Sequence, residues 1–224
     1  MRYRVFPLLV AVAAAPLALA EDVELGSEQQ KFSYAIGYQI GQSLQREGIE
    51  VEVPALVQAI TDVLSGAEAR LSPAQMQAAV RNFQQQKAQE RQATAQRNKE
   101  AGEKFLAANR EKEGVQELPS GLQYEVMQEG TGDTPKADDM VEVHYRGTLL
   151  DGTEFDSSYS RGKPTTLPLS GVIKGWQEAL RHMREGAKWK LFIPPELAYG
   201  ERGAGENIGP NETLVFEVEL LSVK

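Results

Sequence analysis

Three side chains able to bind or polarise a ligand fall close together in the stretch from Val141 to Asp156. The stretch opens with hydrophobic and polar residues in strict alternation through Tyr145, a period of two that is typical of a half-buried strand. Asp151-Gly152 then predicts a tight hairpin turn with positive φ at both central residues, and the chain returns through Phe155 to Asp156. The hairpin would bring a phenol, a phenyl ring and a carboxylate together. Aromatic residues on the inner face of a hairpin are also typical of plain core, so both interpretations stand at this point.

Covalent and metal chemistry find little support in the residues. The chain has no cysteine and two histidines, His144 and His182, and it contains no serine elbow, phosphate-binding glycine loop or metal-ligand spacing. On the predicted strand, His144 faces away from Tyr145, so the two are poorly placed to act as a catalytic pair, and a lone histidine on a strand is more often structural. Aromatic residues beside loops are what the sequence offers instead, and they favour a noncovalent apolar pocket: Tyr145, Phe155, Trp176, Tyr199 and Phe216.

Composition predicts a folded protein with one large domain or two small ones. Of 224 residues, 25% are charged and 41% hydrophobic, and the net charge is −8. A negative chain lacks the basic face on which nucleic-acid affinity depends, so nucleic acid is not an expected partner. We expect no metal and no cofactor.

Residues 1–20 have the pattern of a secretory signal peptide. Arg2 and Arg4 precede an apolar run that ends on Ala18-Leu19-Ala20, and a basic start followed by a short apolar centre and small residues is typical of such signals. A retained membrane anchor is the alternative, although the run is short for a bilayer. We expect export to the periplasm without stable membrane insertion, and leave open an association with the outer membrane.

Residues 21–71 are predicted to form an all-α dimerisation domain. Ser27 and Gln30 form a capping-box pattern ahead of a first helix, and Pro54 begins a second helix. Gly37 and Gly41 lie four residues apart on the first helix, which fits close approach of another helix or, equally, an exposed face. Two short helices cannot bury a stable core alone, so we expect a homodimer through this domain.

Residues 72–114 are predicted to form one long connecting helix. Ser72-Pro73-Ala74-Gln75 is a strong helix start, and the only breaker before Gly114 is Gly102. Between Gln84 and Lys104 no apolar side chain is larger than alanine, and a helix that is polar all round either bridges domains through solvent or is unstable. We therefore expect a free-standing stalk, with a frayed linker as the alternative.

Residues 115–224 are predicted to form a compact α+β domain. Alternating segments predict five or so antiparallel strands, and Gly175 to Met183 predicts one short helix whose buried face includes Trp176. The expected fold class is therefore α+β, with an antiparallel sheet curved around one short helix and preceded by the all-α module and the stalk.

Five segments of this domain resemble the FKBP-type peptidyl-prolyl cis-trans isomerases. They occur in order, which makes the resemblance specific, and they are residues 143–152, 155–158, 172–176, 197–200 and 213–216. The helical N-terminal half and the signal peptide resemble the exported, dimeric macrophage-infectivity-potentiator subgroup. The resemblance implies an isomerase, or rotamase, that acts on proline-containing polypeptides, assists folding of exported proteins and binds macrolide immunosuppressant-type inhibitors. A chaperone whose pocket is secondary to client binding is the alternative.

The resemblance also implies roles for individual residues. Tyr145, Asp156 and Tyr199 would act in catalysis, with Asp156 facing the twisting carbonyl while paired with Tyr145 and Arg161. Trp176 would be the floor of the proline pocket, and the Ile173 N–H would donate to a substrate carbonyl. The residues implied to bind substrate are Phe155, Arg161, Leu167, Val172, Ile173, Trp176, Ile208 and Phe216.

Three positions depart from the family pattern. Leu167 stands where phenylalanine is more usual, Thr165 replaces a common aromatic residue, and Ala204 stands where some members carry histidine. These changes bear on substrate preference and inhibitor affinity more than on activity itself.

Overall fold

A computed structural model describes residues 23–224, so the predicted signal peptide at residues 1–20 lies outside the described residues. The chain divides into two compact units, Met1–Ala67 and Glu68–Lys224. Each unit is described separately below.

The described part of the first unit consists of two helices, α1 (Glu28–Arg46) and α2 (Val53–Leu64). The capping box at Ser27 is present, since its side chain accepts a hydrogen bond from the Gln30 N–H and the Gln30 side chain accepts one from the Ser27 N–H. Neither helix buries a residue, and large apolar side chains stay in solvent, with Phe32 66% exposed and Ile40 42% exposed. The apolar face of this unit therefore has no cover within the described chain.

The second unit begins with α3 (Pro73–Asn109), which has 37 residues and a length of roughly 55 Å at 1.5 Å per residue. Its predicted capping box is present at Ser72 and Gln75. The helix buries Gly102 and Asn109, and the Phe105 ring lies 5.7 Å from the Phe192 ring of the following domain. The expectation of a free-standing stalk is therefore wrong for the C-terminal part of the helix, which packs against the rest of the unit.

Seven strands form one antiparallel sheet after α3. They are β1 (Val115–Glu117), β2 (Gln123–Gln128), β3 (Met140–Thr148), β4 (Glu154–Ser157), β5 (Thr165–Pro168), β6 (Lys188–Ile193) and β7 (Leu214–Val223). Their order is β1-β2-β6-β7-β3-β4. Strand β5 pairs with residues 140–143 of β3, and β4 pairs with residues 146–148 of the same strand. The sheet thus has two strands more than expected. Because β1 is a three-residue strand, it is too short to show an alternating pattern.

The core lies between the sheet and α4 (Lys174–Leu180), whose buried residues include Trp176, Ala179 and Leu180. Strand β3 presents Val141, Val143 and Tyr145 to this core, in the alternation that the sequence predicts. The α+β class is confirmed, with one short α-helix against an antiparallel sheet. The helix ends at Leu180, three residues before its predicted end, and Met183 is buried in the turn that follows.

The hairpin turn differs from its prediction. Gly152 has φ +89°, but Asp151 is not among the non-glycine residues with positive φ. The Asp151 carboxylate instead accepts a hydrogen bond from the Thr153 N–H at 2.9 Å, and the β3–β4 register shifts between Gly147 and Thr148. The Leu149 N–H donates to the Thr153 carbonyl at 2.9 Å, so the loop has three residues, 150–152, and a positive φ is needed only at Gly152.

Candidate active site

The hairpin of β3 and β4 brings Tyr145 and Asp156 into direct contact. Gly147 pairs with Asp156 across the hairpin, so the side chains of Tyr145 and Asp156 meet diagonally on one face. The Tyr145 hydroxyl donates a hydrogen bond of 2.6 Å to Asp156 Oδ2. Just after β4, the Ser158 N–H donates to the Tyr145 carbonyl at 3.0 Å, which fixes the backbone on both sides of the pair.

Arg161 completes a three-residue polar cluster at this end of the hairpin. Its Nη1 donates to Asp156 Oδ1, and its Nη2 donates to the Tyr145 hydroxyl at 2.7 Å. Burial raises the pKa of Asp156, but the hydrogen bonds from Tyr145 and Arg161 and the Arg161 charge lower it by more, so the pKa lies below the ordinary aspartate value. Burial and the hydrogen bond to Asp156 raise the pKa of Tyr145. At neutral pH the cluster therefore holds an ionised carboxylate beside a neutral phenol.

Aromatic edges form the apolar floor and walls beside this cluster. The Trp176 ring meets the Tyr145 ring edge-on at 5.1 Å between centroids, and it meets the Phe216 ring edge-on at 5.2 Å. Phe155 lies edge-on to Phe216 at 5.4 Å. Such edge-to-face contacts are the preferred geometry of aromatic pairs, and they leave ring faces free to contact a ligand.

Gly147 is required for this aromatic packing, although no sequence pattern singles it out. A Cβ at Gly147 would lie 2.6 Å from Phe155 Cζ and 2.7 Å from Phe216 Cε1, closer than carbon atoms approach without displacement. A glycine on β3 thus allows two rings from different strands to meet over its Cα.

The turn before α4 supplies a backbone donor. Ile173 is the N-cap of α4, with extended backbone angles, and its N–H makes no hydrogen bond within the described part of the chain. The Gln177 side chain donates to the Val172 carbonyl at 2.7 Å, which holds the turn in place. The free N–H at Ile173 is therefore held in position to bind a carbonyl oxygen.

Tyr199 and Ile208 bound the site from the opposite side. Tyr199 is 39% exposed, and burial, together with the charge of Asp156, raises the pKa of its hydroxyl. The phenol is thus neutral at physiological pH and can donate a hydrogen bond. Ile208 is buried, 8% exposed, and lies in a loop that is described further below.

These groups enclose one cavity of about 430 Å³, a size suited to a small side chain with its flanking peptide groups. Ten of the eleven site residues expected from the sequence line this cavity; the exception is Arg161, which reaches the site through Asp156 and the Tyr145 hydroxyl. The ten are Tyr145, Phe155, Asp156, Leu167, Val172, Ile173, Trp176, Tyr199, Ile208 and Phe216.

Five further lining residues were not among the expected site residues: Gly171, Ala204, Gly205, Glu206 and Asn207. Four of them belong to the glycine-rich segment before β7, whose composition indicated a loop but gave no sign that it turns back over the pocket. Leu167 lines the cavity where an aromatic ring was noted as more usual, and Thr165 accepts a long hydrogen bond of 3.4 Å from Arg161.

The site offers binding groups rather than covalent chemistry. Within residues 23–224, no three histidine, cysteine or acidic side chains are grouped so as to hold a metal ion. His144 lies on the other face of β3, where its Nδ1 is 2.9 Å from Ser158 Oγ and its ring stacks on Tyr159. The cavity can thus bind an apolar ring, with one carboxylate and two hydrogen-bond donors at its edge.

No helix among the described residues is long and apolar enough to cross a membrane.

Comparison with known proteins agrees over nearly the whole chain. The family profile described as FKBP-type peptidyl-prolyl cis-trans isomerase matches residues 132–221, and that of the domain amino terminal to it matches residues 29–126. The peptidyl-prolyl cis-trans isomerase Mip of Coxiella burnetii is 46% identical over 204 residues, which is 89% of each chain. The FKBP-type 22 kDa peptidyl-prolyl cis-trans isomerase of Escherichia coli is 48% identical over 85% of this chain and 93% of its own.

A solved structure shows the same likeness. The crystal structure of FkpA from Escherichia coli superposes with a TM-score of 0.63 at 37% identity, covering 89% of this chain and 98% of that one. The outer membrane protein MIP of Legionella longbeachae is 43% identical over 93% of this chain and 91% of its own. The chain belongs to the family of FKBP-type peptidyl-prolyl cis-trans isomerases, and its enzymatic activity is cis–trans isomerisation of peptidyl-prolyl bonds.

Proposed function

We propose that the cavity over Trp176 is where this isomerisation occurs, and that it works by binding the twisted amide more tightly than the planar one. The barrier to rotation about a peptide bond is about 18–20 kcal/mol, because the planar amide is stabilised by resonance. The twisted amide loses that resonance and much of its dipole. An apolar cavity that excludes water therefore favours the twisted form, and each 1.36 kcal/mol of preference raises the rate about tenfold.

One observation carries the proposal: an aromatic cavity has an ionised carboxylate and two free donors at its rim. Trp176 is the floor on which a proline ring would rest. The Ile173 N–H and the Tyr199 hydroxyl would bind peptide carbonyls on either side of the proline, and Asp156 would face the carbonyl that rotates. The remaining walls are formed by Tyr145, Phe155, Leu167, Val172, Ile208 and Phe216.

Two substitutions test this assignment. Asp156→Ala and Trp176→Ala should each lower kcat/KM for a prolyl peptide by at least about tenfold, since the first removes the carboxylate that would face the rotating carbonyl and the second removes the floor under the proline ring. His144→Ala is the matched control, because His144 lies outside the cavity, and it should retain wild-type activity. Wild-type activity in both cavity variants would refute the assignment.

The same variants separate catalysis from chaperoning, which is the alternative role. If Asp156→Ala and Trp176→Ala lose isomerase activity but still suppress aggregation of an unfolded client protein, client binding does not use the cavity. If aggregation suppression falls in proportion to isomerase activity, the cavity serves both.

We propose in addition that a macrolide immunosuppressant-type inhibitor competes with the peptide for this cavity. The narrow side chain of Leu167 leaves room where an aromatic ring would contact such a ligand, so affinity should rise in Leu167→Phe. Uncompetitive inhibition of the wild-type enzyme, or unchanged affinity in the variant, would contradict a shared site.

We propose that residues 21–71 form a homodimer. The support is the uncovered apolar face of α1, on which Phe32, Ile36 and Ile40 are 66%, 44% and 42% exposed. Apart from the chain neighbours and the helix's own backbone, no described atom lies within 4 Å of where a Cβ would stand at Gly37 or Gly41, so both glycines are open to a second chain. Sedimentation velocity of the full chain should give about twice the mass of 24.7 kDa.

We propose export to the periplasm as the localisation, with residues 1–20 removed on the way. The support is the signal-like pattern of these residues and the name of a relative, the outer membrane protein MIP of Legionella longbeachae. Cell fractionation with N-terminal sequencing tests this, and a mature protein that starts at Glu21 in the periplasmic fraction is expected. Recovery in the outer-membrane fraction would show the membrane association that we leave open.

A further inference from the structure

One face of α3 contacts the loop that covers the cavity. This loop, residues 200–212, is called the cavity loop below. The contacting positions on the helix are Arg91, Ala95 and Asn98. They recur at intervals of four and three residues and thus form a single stripe along the helix. The stripe contains no large apolar side chain.

Arg91 holds the start of the cavity loop through two backbone carbonyls. Its Nη2 donates to the carbonyl of Arg202 at 2.7 Å and to the carbonyl of Glu201 at 3.2 Å. A hydrogen bond from a charged guanidinium is stronger than one between neutral groups. These contacts fix backbone rather than side chains, so they constrain the path of the loop.

Asn98 holds the end of the loop. Its Nδ2 donates to the carbonyl of Pro210 at 2.9 Å and to Glu212 Oε1 at 2.8 Å. In the other direction, the Asn211 side chain donates to the carbonyl of Ala95 at 3.4 Å. Asn211 has φ +56°, a left-handed conformation that asparagine tolerates better than most residues. Its backbone N–H also closes the loop by donating to the Gly200 carbonyl at 2.9 Å.

The cavity loop depends on α3 for its position. Within the described part of the chain, the five side-chain hydrogen bonds that join the loop to other segments all end on α3. Inside the loop, Ala204 and Ile208 exchange two backbone hydrogen bonds of 2.9 and 3.1 Å, so this part moves as a unit. Ile208 and its neighbours form one wall of the cavity. Ile208 is also buried in the core of the domain, so the position of that wall is set jointly by this burial and by the hydrogen bonds from the helix.

We propose that Arg91 and Asn98 are positioning residues for prolyl isomerisation, acting through the cavity loop. Neither touches the cavity, and both hold the backbone that carries Ile208. This inference rests on the proposed use of the cavity. Catalysis by differential binding depends on wall groups kept at the correct distance, and a misplacement of about 1 Å can be costly. The helix is thus part of the enzyme and not only a connection.

The test uses the full chain with Arg91→Ala, Asn98→Ala and the double substitution. We expect kcat/KM for a prolyl tetrapeptide to fall roughly three- to tenfold in the double variant. Arg97→Ala is the matched control, because it makes the same charge change on the same helix. Among residues 23–224, the Arg97 side chain donates to Thr94 on that helix and not to the cavity loop. The control should retain wild-type activity. Arg91→Lys keeps a charged donor and should recover at least half of the loss seen in Arg91→Ala.

Hydrogen exchange distinguishes positioning from general destabilisation. In the double variant, the amides of Ala204 and Ile208 should exchange faster, whereas the amide of Leu191 in the centre of the sheet should not change. A double-mutant cycle adds a second reading: in an Ile208→Ala background, the loss caused by the two helix substitutions should shrink, because the wall group that they position is gone.

Wild-type activity in the double variant would overturn the inference, and so would a loss of activity accompanied by equally faster exchange at Leu191. Trp176→Ala separates these results from a failure of the proposed function. If Trp176→Ala is inactive while the double helix variant is fully active, only the positioning inference fails. If Trp176→Ala is itself fully active, the cavity assignment fails, and the positioning inference fails with it.

Discussion

Gly102→Ala is the substitution whose outcome depends most directly on whether α3 is packed or free-standing. In a free-standing helix, replacing an interior glycine by alanine stabilises by about 1 kcal/mol, since alanine has the higher helix propensity. In this structure Gly102 is buried, and a Cβ added there would overlap Thr213 Oγ1 and lie 3.3 Å from Thr213 Cβ. Gly102→Ala should therefore raise the free energy of unfolding if the helix is free-standing and lower it if the helix is packed.

We expect the steric cost of the packed geometry to outweigh the gain in helix propensity. Thr213 is 1% exposed and directly precedes β7, and its branched side chain has few rotamers to choose from. Neither the helix backbone at Gly102 nor the Thr213 side chain can therefore move away at a low cost in free energy. Overpacking of this kind costs typically about 1–3 kcal/mol, which offsets or exceeds the gain in helix propensity of about 1 kcal/mol. We expect a net loss of up to about 2 kcal/mol, equivalent to a fall in Tm of up to about 8 °C for a unit of this size.

Tryptophan fluorescence during urea unfolding is a suitable assay, because both tryptophans, Trp176 and Trp189, lie in the second unit. The control is Thr213→Ala, which removes a buried hydroxyl that has no hydrogen-bond partner among the described residues. The double variant Gly102→Ala/Thr213→Ala should recover most of the lost stability, with a coupling free energy of about 1 kcal/mol. A rise in the unfolding midpoint for Gly102→Ala alone would refute the packing of the helix.

Four other outcomes follow from the site and from the first unit. Because the pKa of Asp156 is lowered and that of Tyr145 is raised, kcat/KM should be flat from about pH 5 to pH 9, and an inflection in that range that disappears in Asp156→Asn would contradict this. The lowered pKa of Asp156 also contributes stability that is complete above the unfolded-state pKa and lost as pH falls through the folded-state value, which acid titration of the Tm can measure against Asp156→Asn. Gly147→Ala should displace the two rings over its Cα and lower kcat/KM at least about tenfold, whereas wild-type activity would show that the rings can yield. Ile40→Glu should convert the proposed dimer into a monomer in sedimentation velocity, and a variant that stays dimeric would exclude α1 as the interface.

Local signals account for the parts of the fold that could be predicted from sequence. The helix starts at Ser27 and Ser72 are set by side chains three residues away, and the alternation on β3 reports a single buried face. Each of these patterns is complete within a few residues. The three-residue β1 and the bulge after Gly147 depend instead on pairing with distant strands, and a local pattern does not show them.

The aromatic residues beside loops point to an apolar pocket, but the full set of its walls could be named from sequence only through the resemblance. Tyr145 pairs with Val218 across β3 and β7, and Trp176 reaches both strands from α4, so the walls come from segments far apart in the chain. Spacing along the sequence does not predict such pairings. The residues named from the resemblance nevertheless lie together around one cavity, whereas the loop residues Glu206 and Asn207 were missed, since a glycine-rich loop gives no sign of where it folds back.

The contact face of α3 escaped prediction because the search for buried helix faces looks for large apolar side chains. The partner of α3 is a loop that presents carbonyl oxygens. Such a loop is held by hydrogen-bond donors on the helix and by small side chains that let its backbone come close. At helical spacing, Asn98 donates to the Pro210 carbonyl, the Ala95 carbonyl accepts from the Asn211 side chain, and Gly102 leaves room for the side chain of Thr213 just after the loop. A stripe of small residues and asparagine is therefore a signal for backbone contact, which a hydrophobic pattern does not show.

Hydrogen bonds suit this contact better than apolar packing would, because of what the loop must do. Apolar contacts are non-directional and hold two surfaces together while allowing them to slide. Hydrogen bonds from Arg91 and Asn98 to loop carbonyls require a defined distance and angle, so they specify where the backbone lies. For a wall that discriminates between a planar and a twisted amide, a precisely defined position matters more than the strength with which the loop is held to α3. The polar character that made α3 look like an isolated stalk is thus the property that allows it to position the cavity loop.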